Sequence, residues 1–376
     1  LAKRFGGMMH SHLKVFYEES FPVLKVTRKL PILKRGRGNR VWDIEGKEYI
    51  DFDMSNGDAL LGYGNPELVN AILEGDSDQK ETIEKLKRRF SLKSVKIFSS
   101  EKQAKVYAVN LARQLSGKKK IIRFGQNDLI KKCDLGDEII AEWNNLDYLE
   151  KIVRQNYDVA AIIFEPIATH MGLVLPENDF LKRIMELSKE YGIITIADEI
   201  KTGGKYYTGA SSYLKIKPDI ILFGRSLAGS IPIGIVGMNY KEGDYVRASP
   251  ISIKALGITL DELNEQSMYE MIRLNDILIK GYKDLIEDNK IKAAVVGWGI
   301  SGTIYFRESP PRKYSEFLEI NVKKWNKYFK GMLDSGIIPM SNYDSQWSIS
   351  KAHTEDDINV HLEKLNSVIK TTVLSH

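Results

Sequence analysis

The sequence predicts an α/β protein: an open, largely parallel sheet covered by helices on both faces, followed by a small α+β domain. Three observations predict it. From Lys119 onward short apolar runs alternate with amphipathic helical stretches, the strand–helix rhythm of a parallel sheet. Two of these runs, Ile193–Ala197 and Ile220–Phe223, are apolar and end abruptly in charge, at Asp198-Glu199 and at Gly224-Arg225. Strands buried on both faces read as continuous apolar runs, and ligands of such sheets bind outside the strands' carboxyl ends. Beyond about residue 290 the order changes to strands (VVGWGISGTIYF), a helix, an edge strand and a terminal helix.

Composition bounds the function. The chain has 376 residues, 43% of them apolar, which suits a sizeable core and two domains. A net charge of +5 is dispersed among Lys, Arg, Asp and Glu rather than gathered in one basic block, so no nucleic-acid partner is implied. Cys133 is the only cysteine, which excludes an intrachain disulfide and a thiolate metal cage and favours a reducing, cytoplasmic setting. The opening LAKRFGGMMHSHLKVFYEES has no continuous apolar run, so no secretory signal is expected. No stretch approaches the roughly 18 apolar residues of a membrane span. The histidines His10, His12, His170, His353, His361 and His376 lack metal-ligand spacing, so no metal is predicted.

In chain order, residues up to about 35 read as a helical or irregular entry. Arg40–Asp51 alternates around Glu45-Gly46, a hairpin signal. Asp53–Pro66 is glycine-rich and irregular, and Pro66 opens a helix at the favoured first position; helical spacing continues through Glu81–Phe90. Ser94–Phe98 is a strand, and Ser99-Ser100 caps a helix from about Glu101 to Leu115. Such a helix start can cradle an anion, yet no glycine here lets a phosphate come close. Glu101 would repel one by roughly 1–4 kcal/mol per unit charge at about 4 Å, with Lys102 as the offset. This is a damaged or absent anion cup.

KKIIRF and EIIAEW are strands, Leu146–Gln155 a helix, VAAIIFEP a buried strand ending in Glu165-Pro166, and Asp179–Tyr191 an amphipathic helix. A long helix over about Leu260–Glu287 leads to the second domain, giving an N-terminal segment (1–54), a large domain (55–289) and a small one (290–376). There a helix over Ser315–Asp334 precedes a final one from Glu355. Thr354 caps the latter and Asp356-Asp357 favour its first turn, so His353 reads as structural.

The ordered series WDIEGKEYIDF, LGYGNP, the Ser-initiated helix ending LAR, FEPIATHMGLVLP, IADEIKTG, PDIILFGRSLAGSIPIG and FKGMLDSGIIP…ISKAHTEDDI resembles the glutamate-1-semialdehyde aminomutase branch of the class III pyridoxal-phosphate-dependent aminotransferases, over nearly the whole chain. The resemblance implies a fold-type-I architecture: a large domain around a mostly parallel seven-stranded sheet, a small C-terminal domain, and a homodimer with active sites at the subunit boundary. It implies pyridoxal phosphate as cofactor, with Asp198 opposite the pyridinium nitrogen. A carboxylate there raises the nitrogen's pKa and keeps the ring an electron sink. Thr202-Gly203 fits the loop that follows.

The same resemblance exposes departures. Arg225 stands where the family has the lysine that forms the internal aldimine. Freeing a neutral amine from lysine at pH 7 costs about 4.6 kcal/mol, whereas deprotonating arginine costs about 7.5 kcal/mol or more. A guanidinium instead grips carboxylates or phosphates as a fork. The phosphate motif Ser-Gly-Thr-Glu-Ala corresponds to Ser100-Glu101-Lys102-Gln103-Ala104, leaving Ser100 and Lys102 as its remaining polar contacts. The ring-stacking segment falls at Asp128-Leu129-Ile130, without an aromatic, and a long active-site segment is reduced to the linker Lys131–Asp137. The partner-subunit loop corresponds to Gly257–Leu263, from which Thr259 would reach a phosphate.

Three readings follow. The first is a pseudoenzyme that keeps fold and dimer, partners an active paralogue, and lacks covalent catalysis. The second is an active enzyme using a displaced lysine: Lys201, Lys205 or Lys254. The third is a binder of a small anionic metabolite, gripped by Arg225 and Lys102 with Asp198 opposing them.

Overall fold

The computed structural model describes residues 31–74, 78–125, 136–177 and 179–373. The sequence segments Asp128–Ile130 and most of Lys131–Asp137, together with Cys133, His10, His12 and His376, lie outside them. The described chain begins with β1 (Leu33–Arg37), β2 (Arg40–Asp43) and β3 (Glu48–Asp51). β2 and β3 form the predicted hairpin. The Asp43 carboxylate accepts from Glu45 N and Lys47 N, both at 2.9 Å, and Gly46 takes a φ of 90° that L side chains resist.

Helices α1 (Pro66–Glu74) and α2 (Gln79–Phe90) lead to β4 (Ser94–Phe98) and α3 (Glu101–Ser116). Then come β5 (Lys120–Phe124), β6 (Glu138–Ala141), α4 (Leu146–Gln155), β7 (Val159–Phe164), α5 (Phe180–Tyr191), β8 (Ile194–Asp198), β9 (Ile220–Phe223), β10 (Gly234–Met238) and β11 (Tyr245–Arg247). Eight of these strands form one sheet in the order β11-β4-β10-β9-β8-β7-β5-β6. β6, β5, β7, β8 and β9 run parallel, and β10 is antiparallel to both of its neighbours. The seven expected strands are present; the eighth, Tyr245–Arg247, joins the edge beside β4. β7 and β10 are buried at every position, as apolar runs covered on both faces must be.

The single long helix expected over Leu260–Glu287 is two: α6 (Pro250–Glu262) and α7 (Glu265–Asp288). Asn264 separates them, its side chain accepting from Ser267 N at 3.0 Å to start the second. Likewise the helix expected over Ser315–Asp334 is a short turn at Tyr314–Phe317 and then α8 (Val322–Asp334), restarted by Asn321, which accepts from Lys324 N at 3.0 Å. β12 (Ala294–Trp298), β13 (Ser301–Tyr305), β14 (Ile337–Ile338), β15 (Trp347–Ser348) and α9 (Glu355–Val368) follow.

β12, β13 and β15 form a small sheet, while β14 pairs in parallel with β3. The opening hairpin is therefore built into the C-terminal region, where Val41, Tyr49 and Phe52 share a core with Trp325, Phe329 and Ile358. A capping box starts α9 as predicted: Thr354 and Asp357 exchange hydrogen bonds. Asp357 also accepts from Arg40 Nη2 at 2.5 Å and Asn39 Nδ2 at 2.9 Å, tying first hairpin to last helix. His353 is buried, with its Nδ1 on Ser350. Among the described residues no helix is long and apolar enough to cross a membrane.

Candidate active site

The carboxyl ends of β5, β7, β8 and β9 and the N-terminus of α3 converge on one crevice. Asp198 is the last residue of β8. Its Oδ2 receives Lys105 Nζ at 2.6 Å, and its Oδ1 accepts from Ile200 N at 3.3 Å. Lys105 lies on α3 one turn beyond Glu101, so both side chains leave the same helix face. The buried Ala104 and Ala108 hold that helix close to the sheet.

Arg225 opens a 3₁₀ turn, Arg225–Ala228, directly after β9. Its Nη2 meets Asp58 Oδ2 at 3.0 Å, and its Nε donates to Glu101 Oε1 at 3.2 Å. Its backbone N donates to the same Glu101 oxygen at 3.1 Å. Glu101 therefore sets its carboxylate at the positive end of α3, where an external anion would otherwise be favoured. Gly224 leaves room beside it, where a Cβ would crowd the Glu101 carboxylate and Ile200 Cγ2. Burial pushes the Asp58 carboxyl up, and the cations of Arg225 and Lys205 pull it back.

Asp58 reaches Arg225 from an unusual backbone. Met54, Ser55, Asn56 and Gly57 take φ of 48°, 57°, 59° and 80°, four consecutive residues in the left-handed region. Each non-glycine residue there costs about 1–2 kcal/mol. Two carboxylates secure the turn: Asp53 accepts from Asn56 N at 2.7 Å, and Asp51 accepts from Asp53 N at 2.8 Å, Met54 N at 3.2 Å and Tyr63 Oη at 2.7 Å. Burial and the neighbouring Asp53 charge push the Asp51 carboxyl up to about 7. Gly57 closes over Lys205, whose buried Nζ bonds Ser348 Oγ. Burial lowers that amine to about 8.

A cavity of about 260 Å³ opens beside Asp198. Its floor is aromatic, with Phe124 and Trp143 edge-to-face at 5.6 Å. Its charges are paired within the wall: Lys105 with Asp198, Arg123 with Glu138, and His170 Nδ1 with Glu165 Oε1 at 3.2 Å. Glu165 also accepts from Thr169 N at 2.5 Å and Thr169 Oγ1 at 2.7 Å. Burial would raise the Glu165 carboxyl, but His170 and Thr169 outweigh it and hold the group at about 2. Burial lowers His170 and Glu165 overrides it, leaving the imidazole above its ordinary value.

The structure brings Asp198, Ser100 and Arg225 to this crevice and gives each a partner inside the chain. Ser100 caps α3, accepting from Gln103 N at 3.3 Å. Lys102 points to solvent and makes no ion pair among the described residues. Thr259 is not in a loop. Gly257–Glu262 is the last part of α6, and Thr259 is completely buried in this chain's own core, so its hydroxyl does not reach out to a second subunit. The fragment Ser249-Pro250, with Pro250 in the first turn of α6, marks where a loop ends and this helix begins. Of the alternative lysines, Lys205 is enclosed, Lys201 is half-buried in the turn after β8, and Lys254 lies on α6.

Sequence reasoning missed Lys105, Asp58 and the His170–Glu165 and Arg123–Glu138 pairs. The i,i+4 spacing of Glu101 and Lys105 was the available signal for the first. Glu199, next to Asp198, turns away to accept from Ala210 N at 2.6 Å and Ser211 N at 2.8 Å.

The aminotransferase class-III family profile matches residues 74–368. A glutamate-1-semialdehyde 2,1-aminomutase of Desulfitobacterium hafniense is 29% identical, over 92% of each chain. Among solved structures, a glutamate-1-semialdehyde-aminomutase from Pseudomonas aeruginosa PAO1 superposes with a TM-score of 0.81 at 21% identity, covering 90% of this chain and 87% of that one. A variant of the same enzyme in complex with PMP gives 0.80 at 21% identity, with the same coverage.

Proposed function

Because the chain belongs to the aminotransferase class-III family, we propose that it keeps the family's fold without its covalent chemistry: a glutamate-1-semialdehyde aminomutase-related pseudoenzyme. Pyridoxal phosphate does not fit the residues present. The carboxylate that would face the pyridinium is held by Lys105 at 2.6 Å, and this one contact carries the reading. The start of α3 is taken by Glu101, and Arg225 is spent on Glu101 and Asp58. Glu101 and Lys105, one turn apart on α3, set a carboxylate where the family has a phosphate and an ammonium where it has a pyridinium. The helix thus carries a side-chain surrogate for the cofactor's two charged ends. The carboxylates of Asp58 and Glu101 together outweigh the charge of Arg225, which weighs against the anionic-metabolite reading at that position. In this reading the chain is a cytoplasmic homodimer whose role is non-covalent, as a partner of an active paralogue.

The test is spectroscopic. Purified protein mixed with pyridoxal phosphate should show no visible aldimine band, and borohydride should fix no cofactor on Lys201, Lys205, Lys254 or any other lysine. A reduced adduct on one identified lysine would sink the proposal and support the displaced-lysine reading. Arg225→Lys alone should stay colourless, whereas Arg225→Lys with Glu101→Gly and Lys105→Met should begin to retain cofactor.

A further inference from the structure

A groove of about 1010 Å³ lies at the other end of the sheet from the Asp198 crevice. Asp198 ends β8, whereas Ile193, Ile194 and Thr195, where that strand begins, line the groove. One bank is a face of α5, since Leu181, Lys182, Met185, Ser188 and Lys189 recur at helical spacing. The other is the segment leading into β9, and the last turn of α3 closes one side. The floor is apolar. Met185, Ile194, Leu214 and Ile216 are half-buried there, and Leu115 is 51% exposed. A leucine left half in water beside other apolar side chains is surface that a partner can cover.

The rim is basic. Lys182 and Lys189 stand on α5, seven residues or about 10 Å apart along its axis. Lys215 and Lys217 stand on the opposite bank. All four are exposed, and none makes an ion pair among the described residues. The two carboxylates of the lining are already engaged. Asp219 accepts from Thr195 N at 2.9 Å and from Thr195 Oγ1 at 2.7 Å, and Glu177 lies 3.8 Å from Arg312 Nη1. Glu186 and Glu190 of α5 pair with Arg183 instead. The groove is therefore positive around an apolar centre.

Two features choose the occupant. Cations on both banks, two of them about 10 Å apart, exceed what one carboxylate or phosphate can meet; the volume also stands at the upper limit of small-ligand cavities. No strand edge is on offer either. β8 is paired on both sides, and Lys215 N and Ile216 N already donate to Ser212 O at 3.1 Å and Ser211 O at 3.0 Å. Recognition thus falls to side chains, as when an amphipathic helix lies in a groove. We infer that this groove docks an acidic amphipathic helix of a partner protein. Its aliphatic face covers Leu115, Met185 and Ile216, and its carboxylates meet the four lysines. The inference stands whether or not the Asp198 crevice holds a cofactor.

The probe is a fluorescein-labelled helical peptide of Glu and Leu, about 14 residues or roughly 21 Å long, followed by fluorescence anisotropy. It should bind saturably with a dissociation constant of about 100 μM or tighter, weakening at least about threefold when salt is raised from about 50 to about 300 mM. Lys182→Glu, Lys189→Glu, Lys215→Glu and Lys217→Glu together should weaken it at least about tenfold. Lys241→Glu, Lys283→Glu, Lys323→Glu and Lys330→Glu make the same charge change on exposed lysines outside the groove and should leave the affinity within about threefold. Leu115→Ser should weaken it about threefold. A peptide of Lys and Leu and one of Glu and Ser should each bind at least about fivefold more weakly than the probe. No saturable binding up to about 1 mM, equal losses in the two quadruple variants, or either control peptide binding as tightly as the probe would overturn the inference. Laurate binding more tightly than the probe and lost in the rim variant would put a single anionic amphiphile in the groove. A sedimentation coefficient that falls in the rim variant without peptide would put a second copy of the chain there. Either result also overturns it. No pyridoxal phosphate enters these titrations, so their failure leaves the pseudoenzyme reading standing.

Discussion

If Lys105 is the counter-ion of Asp198, the two must be energetically coupled, and a double-mutant cycle reads that coupling directly. Their charges lie 2.6 Å apart, with the side chains 24% and 13% exposed. At that separation the attraction is roughly 1.6 kcal/mol in bulk water and roughly 6 kcal/mol at an effective dielectric constant of about 20. Desolvation offsets much of the larger figure, so a coupling of about 1–3 kcal/mol is expected. Lys105→Met and Asp198→Asn should each destabilise, because each removes an ion-pair partner from a partly buried charge. The double variant should lose less than the sum of the two. For a 376-residue chain, a 2 kcal/mol change moves the thermal midpoint by about 2–3 °C. Urea unfolding of the four proteins gives the cycle. A coupling below about 0.5 kcal/mol would show that Asp198 is not held by Lys105, and the argument that its cofactor role is taken would fall with it.

Glu165 has a second, pH-dependent signature. Its folded carboxyl lies at about 2 against an ordinary 4.5, so its contribution is present above pH 4.5 and is lost as pH falls towards 2. His170 is shifted upward, so its contribution is full below 6.5 and fades as pH rises through its folded value. Thermal midpoints of Glu165→Gln across pH should therefore show a flatter acid limb than the wild type and no His170-linked decline. Lys205 is lowered from 10.5 to about 8 by burial, so the wild type should gain stability between those pH values, a rise absent in Lys205→Met. At pH 7 that variant should be the more stable by about 1–3 kcal/mol in urea unfolding, as an ammonium no longer has to be buried. Gly57→Ala should destabilise by about 1–3 kcal/mol in the same assay. Gly57 has a φ of 80°, and a methyl group there would collide with Lys205 Nζ and Ser348 Oγ.

The parallel sheet was legible because β7, β8 and β9 are apolar on both faces, which leaves little doubt about period or burial. The terminal helix was legible because Thr354 and Asp357 form a local cap. Local signals failed where tertiary contacts decide. Asn264 is a favoured N-cap residue followed by Glu265, but helical residues on both sides of it masked the break. The same error of register put Thr259 in a loop. Asp198 and Arg225 were found because each terminates a strand. Their partners were not, because Asp58 arrives on a left-handed turn, and Lys105 on a helix whose inward face otherwise reads as small and apolar.

The clasp of Asn39 and Arg40 on Asp357 and the pairing of β3 with β14 set the order in which this protein can be completed. A hairpin made early in synthesis has no sheet to join until Ile337 and then Asp357 have left the ribosome. The parallel sheet can assemble before that, since its strands lie closer in sequence, while the C-terminal body depends on contacts of very high sequence separation. Loss of α9 would therefore remove the Asp357 clasp on Asn39 and Arg40 and strand the β2–β3 hairpin as well. The β2–β3 hairpin and α9 thus act as a seal on the C-terminal body.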